Sequence, residues 1–233
     1  MLCKFKIIST IIIIYHVFNM YAVAKGMYIE ESISSTLSGK DVSILQKTYL
    51  TDNNLLFTQS THPQRILYDL NTQRVYLIDD IKRRYSSTSF NNYKESFDQG
   101  ISSIFNLLVV NEILCRESGE KKRIYNYDCF EIVIYLPKIA TMISLWLTKD
   151  LPALMNLYYS FSQKAELGNG MKKMISIMKQ YDAFPVESIT AMVRPKESTR
   201  YLKVRLKKIS YNVLDSIFTI PYEYKNIPYL ANQ

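Results

Sequence analysis

Residues 27–54 read MYIEESISSTLSGKDVSILQKTYLTDNN, and their rhythm decides the fold. Ile29, Glu31, Ile33, Ser35 and Leu37 alternate with Tyr28, Glu30, Ser32, Ser34 and Thr36. That is the period of a strand, in which successive side chains point to opposite faces. Ser38-Gly39-Lys40-Asp41 supplies a turn, Val42 to Thr51 a second strand and Asp52-Asn53-Asn54 a second turn. The same grammar continues outward. Leu55 to Ser60 is a third strand, stopped by His62-Pro63. Arg65 to Leu70 and Arg74 to Asp79 flank the turn Asn71-Thr72-Gln73, and Arg84 to Phe90 closes the series. Short strands joined by tight polar turns describe an antiparallel meander.

Beyond residue 90 the period changes. Phe97, Ile101, Ile104, Phe105, Leu108 and Val109 share one face of a helix, with Asn91 or Asn92 as its N-cap. Cys129 to Leu136 returns to strand, Pro137 breaks it, and Met142 to Lys149 is another strand carrying Trp146. Asp150 and Pro152 suit the start of a second helix, whose apolar stripe is Leu151, Leu154, Met155, Tyr158 and Phe161. Gly168-Asn169-Gly170 interrupts before a third stripe, Met171, Met174, Ile175, Met178 and Tyr181, which ends before Pro185. Leu202, Val204 and Leu206 alternate with Lys203, Arg205 and Lys207, and Ser216 to Tyr224 is a last extended segment. This order predicts an α+β fold: a highly curved antiparallel sheet, a half-open β-barrel, with helices packed across its concave face.

Composition agrees with one globular domain. The chain has 233 residues, 48 % hydrophobic and 21 % charged, with only 6 Gly and 7 Pro, which argues against disorder, linkers and a polytopic membrane protein. Residues 1–24 read as a secretory signal peptide. Lys4 and Lys6 precede the apolar run Ile7 to Met20, and Ala22-Val23-Ala24 places small residues before a cleavage site at Lys25. The run is short for a bilayer span; an uncleaved anchor is the alternative. Cys3 precedes the run, where a lipobox cysteine cannot lie. Cleavage leaves residues 25–233 as a single domain and lowers the formal charge of +8 by two. Cys115 and Cys129 then remain. They bracket the polar stretch Glu117 to Lys122 and can close a hairpin disulfide or stay as two separate thiols.

No catalytic constellation emerges. His62 alone survives cleavage, too few for a histidine metal site or a triad, so neither metal nor cofactor is expected. Cysteine catalysis would need a base near Cys115 or Cys129, and a structural pair is the favoured reading. Asp79 and Asp80 are adjacent on a strand and point apart. The basic clusters Lys82-Arg83-Arg84, Lys121-Lys122-Arg123 and Lys203-Arg205-Lys207-Lys208 read as solvated faces or as sites of attraction to anionic headgroups. Export argues against nucleic acid. Met171, Met174 and Met178 read as core packing or, beside the glycine break, as a movable lid over apolar ligands.

Several short motifs, taken in order, resemble an uncharacterised family of exported bacterial proteins grouped with the LolA/LppX lipoprotein-carrier-like fold. They are Leu67-Tyr68-Asp69-Leu70 with Val75-Tyr76-Leu77-Ile78-Asp79 and Arg84-Tyr85; Tyr127-Asp128-Cys129-Phe130-Glu131; Leu145-Trp146-Leu147-Thr148-Lys149-Asp150-Leu151; Phe184-Pro185-Val186; and Ile217-Phe218-Thr219-Ile220-Pro221-Tyr222-Glu223-Tyr224-Lys225. Asn126 and Ala183 stand where that family's pattern has glycine, and Tyr222-Glu223 replaces a small turn residue. The resemblance implies a LolA/LppX-like fold, an envelope or periplasmic location in a bacterium and an apolar ligand. The expected function is therefore non-enzymatic binding of a lipid or other apolar ligand. A packed interaction module that meets an envelope protein is the alternative. The expected cavity lining is Ile29, Ile33, Tyr76, Ile78, Ile132, Ile134, Trp146, Leu202 and Val204 from the sheet, faced by Leu154, Tyr158, Met174 and Met178 from the helices. Val75 and Leu77 are as apolar as Tyr76 and Ile78, so the parity of that strand stays open.

Overall fold

A computed structural model describes residues 26–36, 42–60, 62–97, 113–165, 169–192 and 200–229. The predicted meander forms as β1 (Met27–Ser35), β2 (Val42–Leu50), β3 (Asn54–Gln59), β4 (His62–Asp69), β5 (Arg74–Asp79) and β6 (Arg84–Ser89). Helix α1 (Phe90–Phe97) follows, then β7 (Leu114–Ile124), β8 (Tyr127–Leu136) and β9 (Thr141–Thr148). Helices α2 (Pro152–Lys164) and α3 (Asn169–Gln180) precede β10 (Phe184–Met192), β11 (Arg200–Tyr211) and the short β12 (Lys225–Asn226).

All of these strands join one curved sheet in the order β12-β6-β5-β4-β3-β2-β1-β11-β10-β9-β8-β7. The strands β12 and β7 stay at its edges, so the sheet is not closed into a barrel. Every ladder is antiparallel except β12 on β6. Strand β1 pairs with β11 in the middle of the sheet, so the first and last long strands meet there.

Strand alternation sorts the core. On the helix face, Met27 and Ile29 pack with Leu154, Met155, Ile175 and Met178 of α2 and α3. Phe161 and Ala165, at the end of α2, meet Leu50, Leu55, Tyr68 and Val75, joined by Phe90 and Tyr93 of α1. Ile132, Ile134, Ile143, Leu145 and Leu147 lie with Ile177 of α3. On the outer face of the other half, Leu56, Leu67 and Ile78 lie beneath Val213 and Phe218.

One element is added and four local expectations are corrected. The third stripe ends before Pro185 as expected, and the stretch Phe184–Met192, to which the sequence pattern assigns no element, is a full central strand. A bulge between Pro185 and Glu187 accommodates the residue that has no N–H to give the ladder. The stretch Glu117 to Lys122 is not a turn. It lies inside β7, where a bulge with Gly119 at φ +86° absorbs the extra residues, and the chain reverses instead at Tyr125-Asn126. Neither Asn91 nor Asn92 caps α1. The helix starts at Phe90, and the Ser89 hydroxyl accepts the Asn92 N–H at 3.3 Å. Asp150 does not cap α2, whose N-cap is Leu151 without a side-chain bond; its Oδ2 accepts instead from the Thr148 hydroxyl at 3.0 Å. Ser216 to Tyr224 is not extended, because Asp215–Phe218 is a 3₁₀ turn that brings Phe218 onto the sheet. The segment 1–24 with Lys25, the turn Ser38-Gly39-Lys40-Asp41, all of the stripe from Ile101 to Val109, and Gly168 lie outside the described residues.

The expected disulfide does not form. Cys115 pairs across the ladder with Ile134, while Cys129 lies opposite Lys122. Five residues of β8 separate these positions, about 17 Å at the rise of a strand, against about 7 Å or less between bridged Cα atoms. Cys115 is exposed, Cys129 is buried, and both are free thiols.

Candidate functional site: an open trough on the helix face

The helices cover the sheet unevenly. Ile29 is buried where α2 crosses β1. Under α3 the face is closed as well, with Ile132, Ile134, Ile143 and Leu145 all buried. Between these two covers the same face is only partly covered by the described residues. Ile33 lies beside Ile44 of β2 and Val204 of β11, and Ser35 lies beside Val42 and Leu202. Ile33, Ile44, Leu202 and Val204 all keep intermediate exposure, and Val42 is exposed. The result is an apolar trough over β11, β1 and β2, closed at one end by α2.

A polar group stands at that closed end. Glu31 falls between Ile29 and Ile33 on the same parity, opposite Gln46 of β2 and Leu206 of β11. Its Oε2 accepts from Gln46 Nε2 at 3.2 Å. Glu31 is half-buried on this apolar face. Burial raises its pKa, and the Gln46 bond offsets only part of that rise. From α2, the Tyr158 phenol faces the same spot. Burial raises its pKa far above the ordinary range, the Glu31 charge adds to the rise, and the adjacent Thr48 hydroxyl opposes it. Thr48 is itself fully buried, and its Oγ1 closes no well-formed hydrogen bond among the described residues.

The expected lining residues fall into three groups. Ile33, Leu202 and Val204 line the open trough, and Tyr158 stands at its closed end. Ile29, Ile132, Ile134, Leu154 and Met178 share the face but are packed core, and Met174 is half-buried beside them. Tyr76, Ile78 and Trp146 point to the other face. Val75 and Leu77 take the helix side of β5, and Tyr76 and Ile78 lie with Phe218. Trp146 alternates away from Leu145 and Leu147 and carries the Lys122 ammonium 3.7 Å above its ring. Glu31, Gln46, Thr48 and Ile44 were not among the expected residues. The signal for Glu31 was its place in the apolar parity of β1.

The outer face gathers the basic clusters differently from a simple solvated surface. Lys122, Lys203 and Arg205, from two of those clusters, converge on Glu187. The contacts are 3.0 Å from Lys122 Nζ, 3.2 Å from Lys203 Nζ and 2.5 Å from Arg205 Nε. Burial by itself raises the pKa of Glu187, but the hydrogen bonds from Lys122, Arg205 and Lys203 outweigh it and the group is lowered. Asp80 similarly takes both Arg65 Nε at 2.7 Å and Nη2 at 2.8 Å, together with the Tyr224 hydroxyl at 3.0 Å. Among the described residues, no group of three or more acidic, His or Cys side chains is placed to hold a metal ion. Among the same residues, no helix is long and apolar enough to cross a membrane.

No family model matches the chain, and no curated protein matches it either. Solved structures similar to it include PNGF-II, at 14 % identity and a TM-score of 0.39 over 88 % of this chain; the chain spans only 31 % of that protein. Another is a DUF1329 family protein from Desulfovibrio piger, at 15 % identity and a TM-score of 0.35, covering 84 % of this chain and 90 % of that one. A third is a LolA superfamily protein from Nitrosomonas europaea, at 10 % identity and 0.34, covering 85 % and 92 %. At this level of similarity the trough itself, not its neighbours, carries the functional reading.

Proposed function

We propose that the chain is a non-enzymatic binder of a lipid or similar apolar ligand in a bacterial envelope, and that the ligand lies in the trough over β11, β1 and β2. The observation that carries this reading is the half-buried apolar strip of Ile33, Ile44, Leu202 and Val204, less covered than the parts of the same face under the two helices. An alkyl chain lying there gains about 0.8 kcal/mol for each methylene it removes from water. Export is part of the proposal and rests on the signal-like residues 1–24.

The test uses the exported protein. Organic extraction followed by mass spectrometry is expected to release a lipid, and an apolar fluorescent probe is expected to bind the stripped protein. Val204→Asp puts a charge on the strip and should abolish probe uptake while the fold, read by circular dichroism, is kept. No extracted lipid together with no probe uptake overturns the proposal.

One observation favours a second reading, an interaction module. Leu114, Tyr135, Met142 and Tyr201 form an exposed row across β7, β8, β9 and β11 on the outer face. A protein partner covering that row requires no ligand in the trough.

A further inference from the structure

The closed end of the trough holds more acceptors than donors. Glu31 brings two carboxylate oxygens and receives one bond, from Gln46. The Thr48 oxygen closes none, although it is fully buried. Among the described residues Glu31 forms no ion pair. Of the basic residues on the strands beside it, Lys47, Lys203 and Arg205 alternate to the outer face, where the last two are taken by Glu187, and Lys207 and Lys208 are exposed at the bulge of β11. A carboxylate half-buried on an apolar face without a cation is costly unless something else supplies one.

We infer that Glu31, Gln46, Thr48 and Tyr158 form a head-group subsite for an amine-bearing amphiphile, whose alkyl chain lies along the open strip. The inference rests on the trough being a ligand site. An ammonium head has three donors and no acceptor, which matches a carboxylate and an unpaired hydroxyl oxygen. A fatty acid head brings a second negative charge to the same spot and is selected against. A neutral alcohol can donate only once and falls between the two.

The test measures displacement of a bound apolar probe from the signal-free chain by decylamine, decanol and decanoate, each below its micelle-forming concentration. Decylamine is expected to bind about tenfold more tightly than decanol, with decanoate weakest. Glu31→Gln keeps the side-chain shape and should bring amine and alcohol to within about threefold of each other, each compared through its displacement of the probe from the same variant. A second measurement needs no variant. Acidifying the wild type through the titration of Glu31 should erase the amine preference. The groups facing it are Tyr158 from α2, Gln46 and Thr48 from β2 and Leu206 from β11, and none of these titrates in the acid range. If all three chains bind without an amine preference, or the preference survives in Glu31→Gln, the head-group inference is overturned while the apolar trough stands. If neither probe nor any chain binds, both fall.

Discussion

The outer face of the sheet has two halves that share an alternation and differ in cover. On β2 to β6, Leu56, Leu67 and Ile78 are buried because Val213 and Phe218, with Ile217, Ile220 and Tyr224, lie over them. On β7 to β11 the same face shows Leu114, Tyr135, Met142 and Tyr201 at 52 %, 42 %, 45 % and 37 % exposure. Period-two patterning fixes which residues share a face. Whether that face is core depends on where a distant segment of chain lands. The largest expected effect follows from this contrast. Phe218→Ala should cost about 3 kcal/mol, because it opens a void over three buried side chains. Tyr135→Ala, a truncation of similar size on the bare half, should cost less than about 1 kcal/mol. Denaturant midpoints of the two variants decide it, and equal losses would break the contrast.

A second contrast sets two carboxylates on opposite faces of the same sheet. Glu187 is nearly fully buried and is held by three basic side chains; Glu31 is half-buried and, among the described residues, is met by the Gln46 amide and by no cation. Glu187→Gln should cost about 2 kcal/mol at neutral pH, less than a fully buried pair because the three cations stay about one-third exposed. The pH dependences have opposite signs. Glu187 has a lowered pKa, so its contribution is present above the ordinary value of 4.5 and is lost as pH falls through the lowered one. Glu31 has a raised pKa, so the folded state binds its proton more tightly, and stability from this group rises as pH falls through the raised value toward 4.5. Glu31→Gln should therefore be more stable than the wild type at pH 8, with the gap closing by about pH 5. Thermal melts of both proteins across that range check it; a gap that widens on acidification removes the assignment of Glu31 to an uncompensated site.

Much of this architecture is legible in the chain, and the exceptions have physical causes. The strands between Met27 and Ser89 are read in the right order and mostly to within a residue or two because they alternate cleanly; β4 is the exception, starting at His62 and running through Pro63 where the sequence suggests a stop. Strand β10 escapes because Pro185 is a strong breaker in isolation, and only the bulge opposite β9 makes it tolerable. In β5, Val75, Tyr76, Leu77 and Ile78 are apolar on both parities because both faces are covered, by α1 and α2 on one side and by Phe218 on the other. No local pattern can say which pair faces the helices. In the trough, Ile33, Leu202 and Val204 follow from alternation. Gln46 and Thr48 do not, since they matter only through what β1 and α2 place beside them.

The smallest effect concerns the two cysteines, which differ as the two halves do. Cys115 lies exposed on edge strand β7, its sulfur 3.8 Å from the Tyr181 hydroxyl. Cys129 lies buried against Ile124 and Leu151 in the core cluster, and burial raises its thiol pKa above the ordinary value. The thiolate is the reactive form, so burial protects Cys129 twice, by access and by protonation. In protein folded at neutral pH, a thiol reagent should modify Cys115 within minutes and leave Cys129 untouched, and unfolding should release the second site. Peptide mapping by mass spectrometry tells the two apart. Because the ladder holds the sulfurs far apart, adding a reductant should leave the melting temperature unchanged. A drop on reduction, or a native peptide carrying Cys115 linked to Cys129, would mean that β7 slides on β8. The bulge at Gly119 is the one place on that ladder where such a slip can start.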